Sequence, residues 1–375
     1  MDIGATALHI LYLYKDYWPV IGGIESHLRT LAEAVATHGH RVSVVVCQTR
    51  GEKLPEYELH NGVHIYRAAR HIDIASSAFS LALASIVRQL QPDVIHLQMP
   101  WPGGDLALLG VRTPYVVTYQ SDVVRQQLLL SVYTPLLHHT LRNASAIIAT
   151  SPQYLASSHT LQKYASKCAV IPLGIEPPPP PMPERVAAWQ ARFPQSCVLW
   201  VGRMRYYKGL TQLLHAMPLM PASCQLALVG VGPQYAEIAQ LATSLGVADR
   251  VHLLGTLPDE DVRALQAVAR FFVFPSHLRS EAFGLALLEA IAAGLPAISC
   301  EIGTGTSYVN AHGRTGLVVP PNDTTALADA MRTLWTDEAM RNRFAQHATT
   351  WASTEFSVAH MVAQTLALYQ SMILA

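Results

Sequence analysis

The sequence predicts an α/β fold in which two doubly wound parallel-sheet domains face one another across a cleft. Short apolar, β-branched runs alternate with helical patterns along the whole chain, which is typical of parallel sheets with helices on both faces. Five consecutive prolines, Pro177 to Pro181, interrupt this alternation, which then restarts. Because 375 residues suffice for two domains of ordinary size, we place the boundary between them at these prolines.

The first domain, residues 1–176, is predicted to begin with a strand at residues 9–14, a Pro/Gly loop and a helix from about Glu25 to His38. The run at residues 9–14 is short and no basic segment precedes it, so it predicts a strand rather than a signal peptide. Further β-branched runs predict strands at residues 41–47, 63–68, 93–98, 115–119 and 146–151.

Residues 177–184 are predicted to form a stiff linker, because prolines in series cannot lie inside a helix or a central strand. The second domain, residues 185–355, repeats the alternation, with strands predicted at residues 197–203, 225–232, 250–255, 271–276, 296–300 and 316–321. An apolar-faced helix within residues 356–375 is expected to pack back on the first domain. The cleft between two such domains lies outside the carboxyl ends of their strands.

The composition argues against several classes of function. The formal net charge is zero, so nucleic acid is not an expected partner. The 17 histidines show no HExxH spacing and the five cysteines no CxxC pair, so we expect no metal site, no disulfide framework and a reducing, cytoplasmic location. No stretch of about 18 apolar residues is present, so no membrane span is expected.

The most informative segment is SEAFGLALLEAIAAGLPAIS, residues 280–299. It places Glu281 before a predicted helix start and Glu289 within the helix, about 10 Å apart along the axis at 1.5 Å per residue. A capping acid explains Glu281 without any function, but Glu289 lies among apolar residues and must face a cleft or a partner, because a buried unpaired charge is costly. Exposed N–H groups at the helix start suit an anionic ligand.

Other candidate residues follow predicted strands. Arg203 and Lys208 lie on one loop and suit a diphosphate, although basic residues at helix starts are often only solvated. The Gly230–Gly232 turn is more typical of structure than of binding, and Gly303-Thr304-Gly305-Thr306 could line the cleft. Paired glycines, Gly22 and Gly23, let backbone approach a phosphate or a sugar, or simply form a turn.

Together these elements resemble glycosyltransferase family four, whose members are retaining enzymes of the GT-B fold. The resemblance covers essentially the whole chain and is carried by motifs in the family's order: GGIE at residues 22–25, the GR…KG loop at 202–209, VGVGP at 229–233, and E-x7-E with its FG at 281–289. Finer matches are similar to bacterial O-antigen and exopolysaccharide α-mannosyltransferases and D-rhamnosyltransferases that use GDP-sugars: residues 118–126, 149–158, 170–176 and 303–310.

The resemblance implies a role for each candidate. Arg203 and Lys208 would bind the donor diphosphate, Glu281 the sugar hydroxyls, and Glu289 the ribose diol. The remaining donor-site positions would act through backbone around the sugar, phosphate and base: Gly22, Gly23, Ala282, Phe283, Gly284, Leu285, Leu254 and Leu257.

One position departs from the family. Gln120 stands where related sequences usually have a histidine near the reacting sugar, and an amide can donate and accept hydrogen bonds but cannot transfer a proton. Either that role is hydrogen bonding alone, or the donor differs, or activity is reduced. Asp122 is a candidate acceptor-side residue, and capping of a helix from Val123 is the structural alternative.

The expected reaction moves a hexose, with mannose from GDP-mannose as the best assignment, onto a growing polysaccharide whose acceptor is a glycan or a polyprenyl-diphosphate-linked oligosaccharide. GDP-rhamnose or a UDP-sugar as donor, a nucleotide-sugar epimerase and an inactive nucleotide-sugar binder remain alternatives. Neither cofactor nor metal is expected, since Asp259-Glu260-Asp261 reads as helix-start acids rather than a DxD metal motif. The helix at residues 123–142 could contact the inner face of the cytoplasmic membrane, although burial in the first domain is the simpler expectation.

Overall fold

In a computed structural model of the chain, residues 7–20, 22–51, 53–74, 77–122 and 127–374 are described, with backbone alone for 127–130. The elements up to residue 174 are, in chain order, β1 (His9–Leu13), α1 (Gly23–Thr37), β2 (Arg41–Cys47), β3 (Tyr57–His60), β4 (Val63–Ala68), β5 (Ile72–Ile74), β6 (Ser77–Phe79), α2 (Leu83–Leu90), β7 (Val94–Met99), α3 (Pro102–Ala107), β8 (Tyr115–Tyr119), α4 (Gln127–Asn143), β9 (Ala146–Ala149), α5 (Pro152–Ser157), α6 (His159–Gln162) and β10 (Cys168–Val170).

The elements after residue 174 are α7 (Pro183–Arg192), β11 (Val198–Val201), α8 (Leu210–Ala216), β12 (Leu226–Val229), α9 (Tyr235–Ser244), β13 (Val251–Gly255), α10 (Asp259–Val268), β14 (Phe271–Phe274), α11 (Leu285–Ala292), β15 (Ala297–Cys300), α12 (Thr306–Val309), β16 (Gly316–Val319), α13 (Thr324–Thr336), α14 (Glu338–Glu355) and α15 (Val358–Leu374). The chain up to Gly174 together with α15 forms one compact unit, unit 1, and Ile175–Ser357 forms a second, unit 2.

The sheet of unit 1 has the strand order β10-β9-β8-β7-β1-β2-β4-β3 among the described residues, and only the edge pair β3–β4 is antiparallel. The central strands β1, β7 and β8 are buried along their whole length, which explains their continuous apolar runs. The order reverses between β1 and β7, so the loops that follow these two strands meet at a topological switch point, where α/β sheets bind ligands.

Helices cover this sheet through regularly spaced apolar residues. Helix α1 buries one stripe at helical spacing, formed by His27, Leu28, Leu31, Ala32 and Val35. Helix α15 packs against α1 within unit 1 and inserts Met361, Val362 and Tyr369 into the same core. The end of the chain therefore contributes to the core that its beginning forms.

The sheet of unit 2 has the order β13-β12-β11-β14-β15-β16, and every strand pair in it is parallel. Counted from β11, this is the 3-2-1-4-5-6 order of the Rossmann fold, and its switch point lies between β11 and β14. The predicted fold class, two Rossmann-like α/β domains, is thus confirmed.

The prolines Pro177–Pro181 lie outside any helix or strand. Helix α7 begins at Pro183, inside the range predicted as linker, because proline fits the first turn of a helix, where its missing N–H has no partner to lose. Four short strands were not predicted from the sequence: β3, β5, β6 and β10. Strands β3 and β5 are largely exposed and carry charged residues, so they lack the apolar runs from which the other strands were predicted.

Candidate active site

The loops after β11 and β14 bring the main candidate residues of unit 2 together. Lys208 ends a short 3-10 turn, Tyr206–Lys208, after β11, and Glu281 lies between β14 and α11. Because β11 and β14 are neighbours at the switch point, their carboxyl ends place these two loops side by side. Residues separated by 73 positions in sequence are therefore in direct contact.

Lys208 and Glu281 form a shielded ion pair. Lys208 Nζ donates to Glu281 Oε2 at 2.5 Å, and little more than a tenth of either side chain is exposed. The hydroxyl of Ser276 donates to the same oxygen at 3.2 Å. The ammonium also lies 4.9 Å from the ring centroid of Phe274 and 5.3 Å from that of Tyr207, within cation–π range. The cation is thus held against a carboxylate and two aromatic faces.

The loop after β15 supports the Glu281 loop through two hydrogen bonds. Thr304 Oγ1 donates to the Glu281 carbonyl at 2.8 Å, and the N–H of Gly305 donates to the Ala282 carbonyl at 2.7 Å. A Cβ atom at Gly305 would lie 2.6 Å from the Phe283 ring, so only glycine lets the two loops approach this closely. The Gly303–Thr306 segment, expected to line a cleft, acts in unit 2 as a support for the Glu281 loop.

Helix α11 begins at Leu285, shortly after Glu281 in the chain. Gly284 adopts φ +90°, a left-handed conformation that glycine tolerates, and a Cβ there would lie 3.0 Å from the Phe274 ring. Phe283 is buried against Phe356, while Leu285, the first helical residue, is half-buried. The first N–H groups of a helix have no partner within it, and they favour an anion.

Glu289 is exposed on α11, so its carboxylate is not buried among its apolar neighbours, and the cleft or partner expected opposite it stays a prediction. The surrounding protein and then the negative charge of Asp259 raise its pKa, to about 7, although the contact of the carboxylate with water moderates this rise. A carboxylate of this kind is an acceptor open to a ligand and is sensitive to pH near neutrality.

The other predicted donor-site residues of unit 2 are more dispersed. Arg203 is exposed, and Leu254 and Leu257 are partly exposed at the end of β13 and in the loop after it. The Gly230–Gly232 turn packs against the Arg203 loop: a Cβ at Gly230 would lie 2.0 Å from the Gly202 carbonyl oxygen. This turn has the structural role that its sequence favoured, and it supports the backbone around Arg203.

In unit 1, Gly22 precedes α1 in extended conformation, and Gly23 is its first residue. A Cβ at Gly22 would lie 2.2 Å from Oε2 of Glu25, so that carboxylate lies over the glycine. Gly22 ends the loop between β1 and α1 and Gly23 begins the helix, after the strand β1 that borders the switch point of the sheet. An anionic ligand there would meet the Glu25 carboxylate before the helix N-terminus.

Gln120 and Asp122 follow β8 at the same edge of unit 1. Gln120 is buried, its N–H donates to the Met99 carbonyl at 2.9 Å, and its side-chain Nε2 donates to Gln98 Oε1 at 2.8 Å. Asp122 Oδ1 accepts hydrogen bonds from Ser158 Oγ at 2.8 Å and Tyr119 OH at 3.2 Å. Capping by Asp122 of a helix from Val123 falls on residues 123–126, which lie outside those described.

The acids at the start of α10 have structural partners. Asp261 accepts from Arg185 at 2.6 Å and from Trp189 Nε1 at 3.0 Å, and these hydrogen bonds, that of Trp189 first, lower its pKa. They attach α10 to α7. In the described part of the chain, no three His, Cys, Asp or Glu side chains converge as metal ligands.

Helix α4 buries part of its apolar face. Leu137 and Leu141 lie in the unit 1 core, whereas Val132 is 78% exposed. The side chains of Leu128, Leu129 and Leu130 are outside the described set. No helix within the described ranges combines the length and apolar character that a bilayer crossing requires.

The sequence-based prediction missed two polar contributors, Ser276 and Gln98. Ser276 follows β14 at the carboxyl edge of the unit 2 sheet, a position that could have suggested it. Gln98 lies within β7 and interrupts an apolar run, which was the available signal.

Comparisons with known proteins show which family this chain belongs to. The family models described as Glycosyltransferase Family 4 and as Glycosyl transferases group 1 match residues 21–177 and 187–351. The chain is 41% identical over 335 residues to the D-rhamnosyltransferase WbpZ of Pseudomonas aeruginosa, covering 88% of this chain and 87% of that protein. It is 38% identical over 373 residues to the O-antigen chain mannosyltransferase C of Escherichia coli, covering 98% and 99%.

Solved structures show the same fold. Sucrose-phosphate synthase from Thermosynechococcus elongatus superposes with a TM-score of 0.81 at 23% identity, covering 98% of this chain and 99% of that one. Anabaena Alr3699/HepE in complex with UDP gives 0.80 at 22% identity, with 97% and 100% covered. Fold and relatives together define a glycosyltransferase, an enzyme that moves a sugar from a donor to an acceptor. The chain belongs to glycosyltransferase family four and has the GT-B fold.

Proposed function

We propose that this glycosyltransferase moves mannose from GDP-mannose, with retention at the anomeric carbon, onto a growing O-antigen-type polysaccharide. The E. coli relative, an O-antigen chain mannosyltransferase by name, matches nearly the full length of both chains and supports mannose as the sugar and an O-antigen chain as the product. The Lys208–Glu281 pair is the observation that supports this site, because a cation suited to phosphate and a carboxylate suited to hydroxyl groups lie 2.5 Å apart, just before α11 in the chain.

In the proposed reaction, Lys208 and Arg203 stabilise the departure of the diphosphate. The bond between the anomeric carbon and the diphosphate breaks, and its electron pair goes to the leaving phosphate. Lys208 and Arg203 neutralise the negative charge that develops there, assisted by the N–H groups at Phe283, Gly284 and Leu285. The acceptor oxygen bonds to the same face of the anomeric carbon, and its proton passes to the departing phosphate. No protein nucleophile is required.

The two carboxylates have separate tasks in this proposal. Glu281 accepts hydrogen bonds from the sugar hydroxyls, and Glu289 accepts them from the ribose diol. Lys208 leaves its direct contact with Glu281 for the diphosphate, so donor binding exchanges one anionic partner of the ammonium for another. Gly22 and Gly23 approach the donor through backbone, and backbone around Leu254 and Leu257 contacts the base.

Transfer is proposed to be independent of divalent metal, because two protein cations supply the charge that a metal would provide. Wild-type activity should persist in EDTA. Activity that collapses in EDTA and returns with manganese would contradict this part of the proposal.

A GDP-linked 6-deoxyhexose is the second candidate donor. The D-rhamnosyltransferase of P. aeruginosa is 41% identical to this chain, comparable with the mannosyltransferase. Gln120, which stands in place of the histidine usual in the family, does not favour one of these two donor sugars over the other. The two donors differ at one hydroxyl, so their kcat/KM values in parallel assays decide between them.

The acceptor is proposed to be a glycan carried on a polyprenyl diphosphate, reached at the inner face of the cytoplasmic membrane. The exposed Val132 on α4 is consistent with peripheral contact of unit 1 with the lipid surface. Asp122 is proposed as an acceptor-side residue through its carboxylate at the end of β8.

A thermal-shift panel of GDP-, UDP- and ADP-sugars tests the donor. A ligand that binds only the native state raises apparent stability by RT ln(1 + [L]/Kd). We expect GDP-mannose or GDP-rhamnose to raise the Tm by several degrees and UDP- and ADP-sugars to have no effect. Stabilisation by UDP-sugars without stabilisation by GDP-sugars would overturn the donor assignment.

A further inference from the structure

A chain of buried polar side chains crosses the sheet of unit 1 and ends at Gln120. Tyr369 OH donates to Tyr12 OH at 3.3 Å and lies 2.5 Å from His96 Nδ1. His96 Nε2 lies 3.2 Å from Gln98 Nε2, and Gln98 Oε1 accepts from Gln120 Nε2 at 2.8 Å. All five residues are buried. A polar network in this position requires that each donor meets an acceptor.

The orientation of the Gln98 amide sets the tautomer of His96. With Gln98 Nε2 turned to the ring, His96 Nε2 accepts, and its single lone pair is shared between the Thr118 hydroxyl at 2.6 Å and the Gln98 amide at 3.2 Å. In this arrangement the ring proton lies on Nδ1 and is donated to Tyr369 OH. Burial lowers the pKa of His96 to about 3, which keeps the ring neutral at physiological pH.

The same polarity sets the orientation of Gln120. Since Gln98 turns its Nε2 to His96, its Oε1 faces Gln120 and accepts from the Gln120 amide nitrogen. The Gln120 Oε1 then points away from Gln98, and no described residue donates to it. Gln120 directly follows β8 at the carboxyl edge of the sheet, where ligands of doubly wound sheets bind.

We propose that Gln98 is a positioning residue that holds the Gln120 amide with its carbonyl oxygen outward, so that Gln120 accepts a hydrogen bond from a sugar hydroxyl. This inference rests on the proposed function for the identity of the ligand, and on the polar chain alone for the orientation. A glutamine left free could present either its oxygen or its nitrogen, and it would bind a hydroxyl with less discrimination.

Kinetics of Gln98→Met and Gln98→Glu test the positioning role. Methionine removes the acceptor for Gln120 Nε2, so KM for the sugar nucleotide should rise about fivefold to tenfold, the equivalent of one hydrogen bond. The Kd of the nucleoside diphosphate alone should not change, because Gln98 acts only on the sugar. Glutamate keeps an acceptor facing Gln120 and should restore KM. The control Gln266→Met replaces a buried glutamine of unit 2.

Donors that lack single hydroxyls locate the contact. For one deoxy donor, KM with the wild-type protein should be the same fivefold to tenfold higher than KM for the full donor. With Gln98→Met the KM of that deoxy donor should equal that of the full donor, since the two changes remove one interaction. The proposal would be overturned if the effects of Gln98→Met and of the missing hydroxyl on KM were additive for every deoxy donor. An equal loss of affinity for the sugar nucleotide and for the nucleoside diphosphate in Gln98→Met would overturn it too.

The orientation is tested without turnover. In 15N-histidine-labelled protein, long-range 1H–15N spectra should show His96 as the neutral Nδ1–H tautomer, with its signals assigned by their loss in His96→Gln. In Gln98→Glu the Nε2 proton should appear, because a carboxylate facing that nitrogen can only accept. An Nε2–H tautomer in the wild type would reverse the polar chain and contradict the proposal. Absence of transfer with every donor would instead defeat the proposed function and leave this result standing.

Discussion

Lys208 and Glu281 are joined at 2.5 Å between loops that follow neighbouring strands, β11 and β14, at the point where the strand order of unit 2 reverses. The carboxylate holds the ammonium where a diphosphate could replace it, and Phe274 and Tyr207 shield the pair. In the proposed mechanism the ammonium exchanges this carboxylate for the donor diphosphate, so only a local movement of one side chain brings the positive charge to the leaving group.

Lys208→Met should lower kcat for transfer by about 100-fold, the scale observed when one preorganised charge stabiliser is removed. The variant keeps the length of the side chain and its packing against Phe274 but loses the charge. Steady-state assays of sugar transfer measure the effect. Lys163→Met, which removes an exposed lysine of unit 1, is the matched control and should retain wild-type kcat. Near-normal kcat in Lys208→Met would remove Lys208 from the mechanism.

Glu281→Gln should separate binding from transfer. The substitution frees Lys208 from its counter-charge while preserving the shape of the side chain and its ability to accept from Ser276. Calorimetric titration should show unchanged or tighter binding of the nucleoside diphosphate, whereas transfer should fall by about 100-fold because a neutral amide holds the sugar hydroxyls less strongly. Loss of diphosphate binding together with transfer would indicate that Glu281 only supports the loop.

Nucleotide affinity should rise with pH across neutrality through Glu289. The raised pKa means that the folded protein favours the protonated carboxyl, so the group stabilises the fold at low pH and this contribution is lost as the pH rises through about 7. A ribose diol donates hydrogen bonds and prefers the ionised form. We expect the Kd of the nucleoside diphosphate to fall between pH 6 and 8 more steeply in the wild type than in Glu289→Gln, whose remaining slope reports the ionisation of the ligand's terminal phosphate. The same slope in both proteins would exclude Glu289 as its cause.

Gly284→Ala should destabilise the protein by about 1–3 kcal/mol, since a side chain at φ +90° is strained and its Cβ would press on Phe274. Gly313→Ala is the matched control: its φ is +72°, but a Cβ there would contact nothing within 4 Å, so only the backbone strain remains. Thermal unfolding of both variants measures the difference. A Gly284→Ala protein no less stable than Gly313→Ala would show that the contact with Phe274 relaxes without cost.

The sequence predicted the central strands of both sheets because their burial on both faces leaves an uninterrupted apolar run. It did not predict β3 or β5, whose exposed residues resemble a loop. Candidate site residues could also be predicted from the sequence, since Glu289 stands out as an acid in an apolar helix. The contacts between these residues could not be predicted from the sequence. Lys208 and Glu281 are 73 positions apart in the chain, and His96 and Tyr369 are 273 positions apart. The first pair arises from strand order and the second from the packing of α15 on the sheet of unit 1, and local patterns encode neither.

Time-resolved proton NMR of the reaction mixture tests the central claim most directly. Purified protein is incubated in EDTA with GDP-mannose and a lipid-linked glycan acceptor, and the anomeric signals of donor and product are followed, with Lys208→Met as the reference. We predict an α-linked mannosyl product formed from the α-linked donor at the rate of GDP release, and about 100-fold slower formation in the variant. A β-linked product, or conversion of the donor without acceptor, would contradict the account.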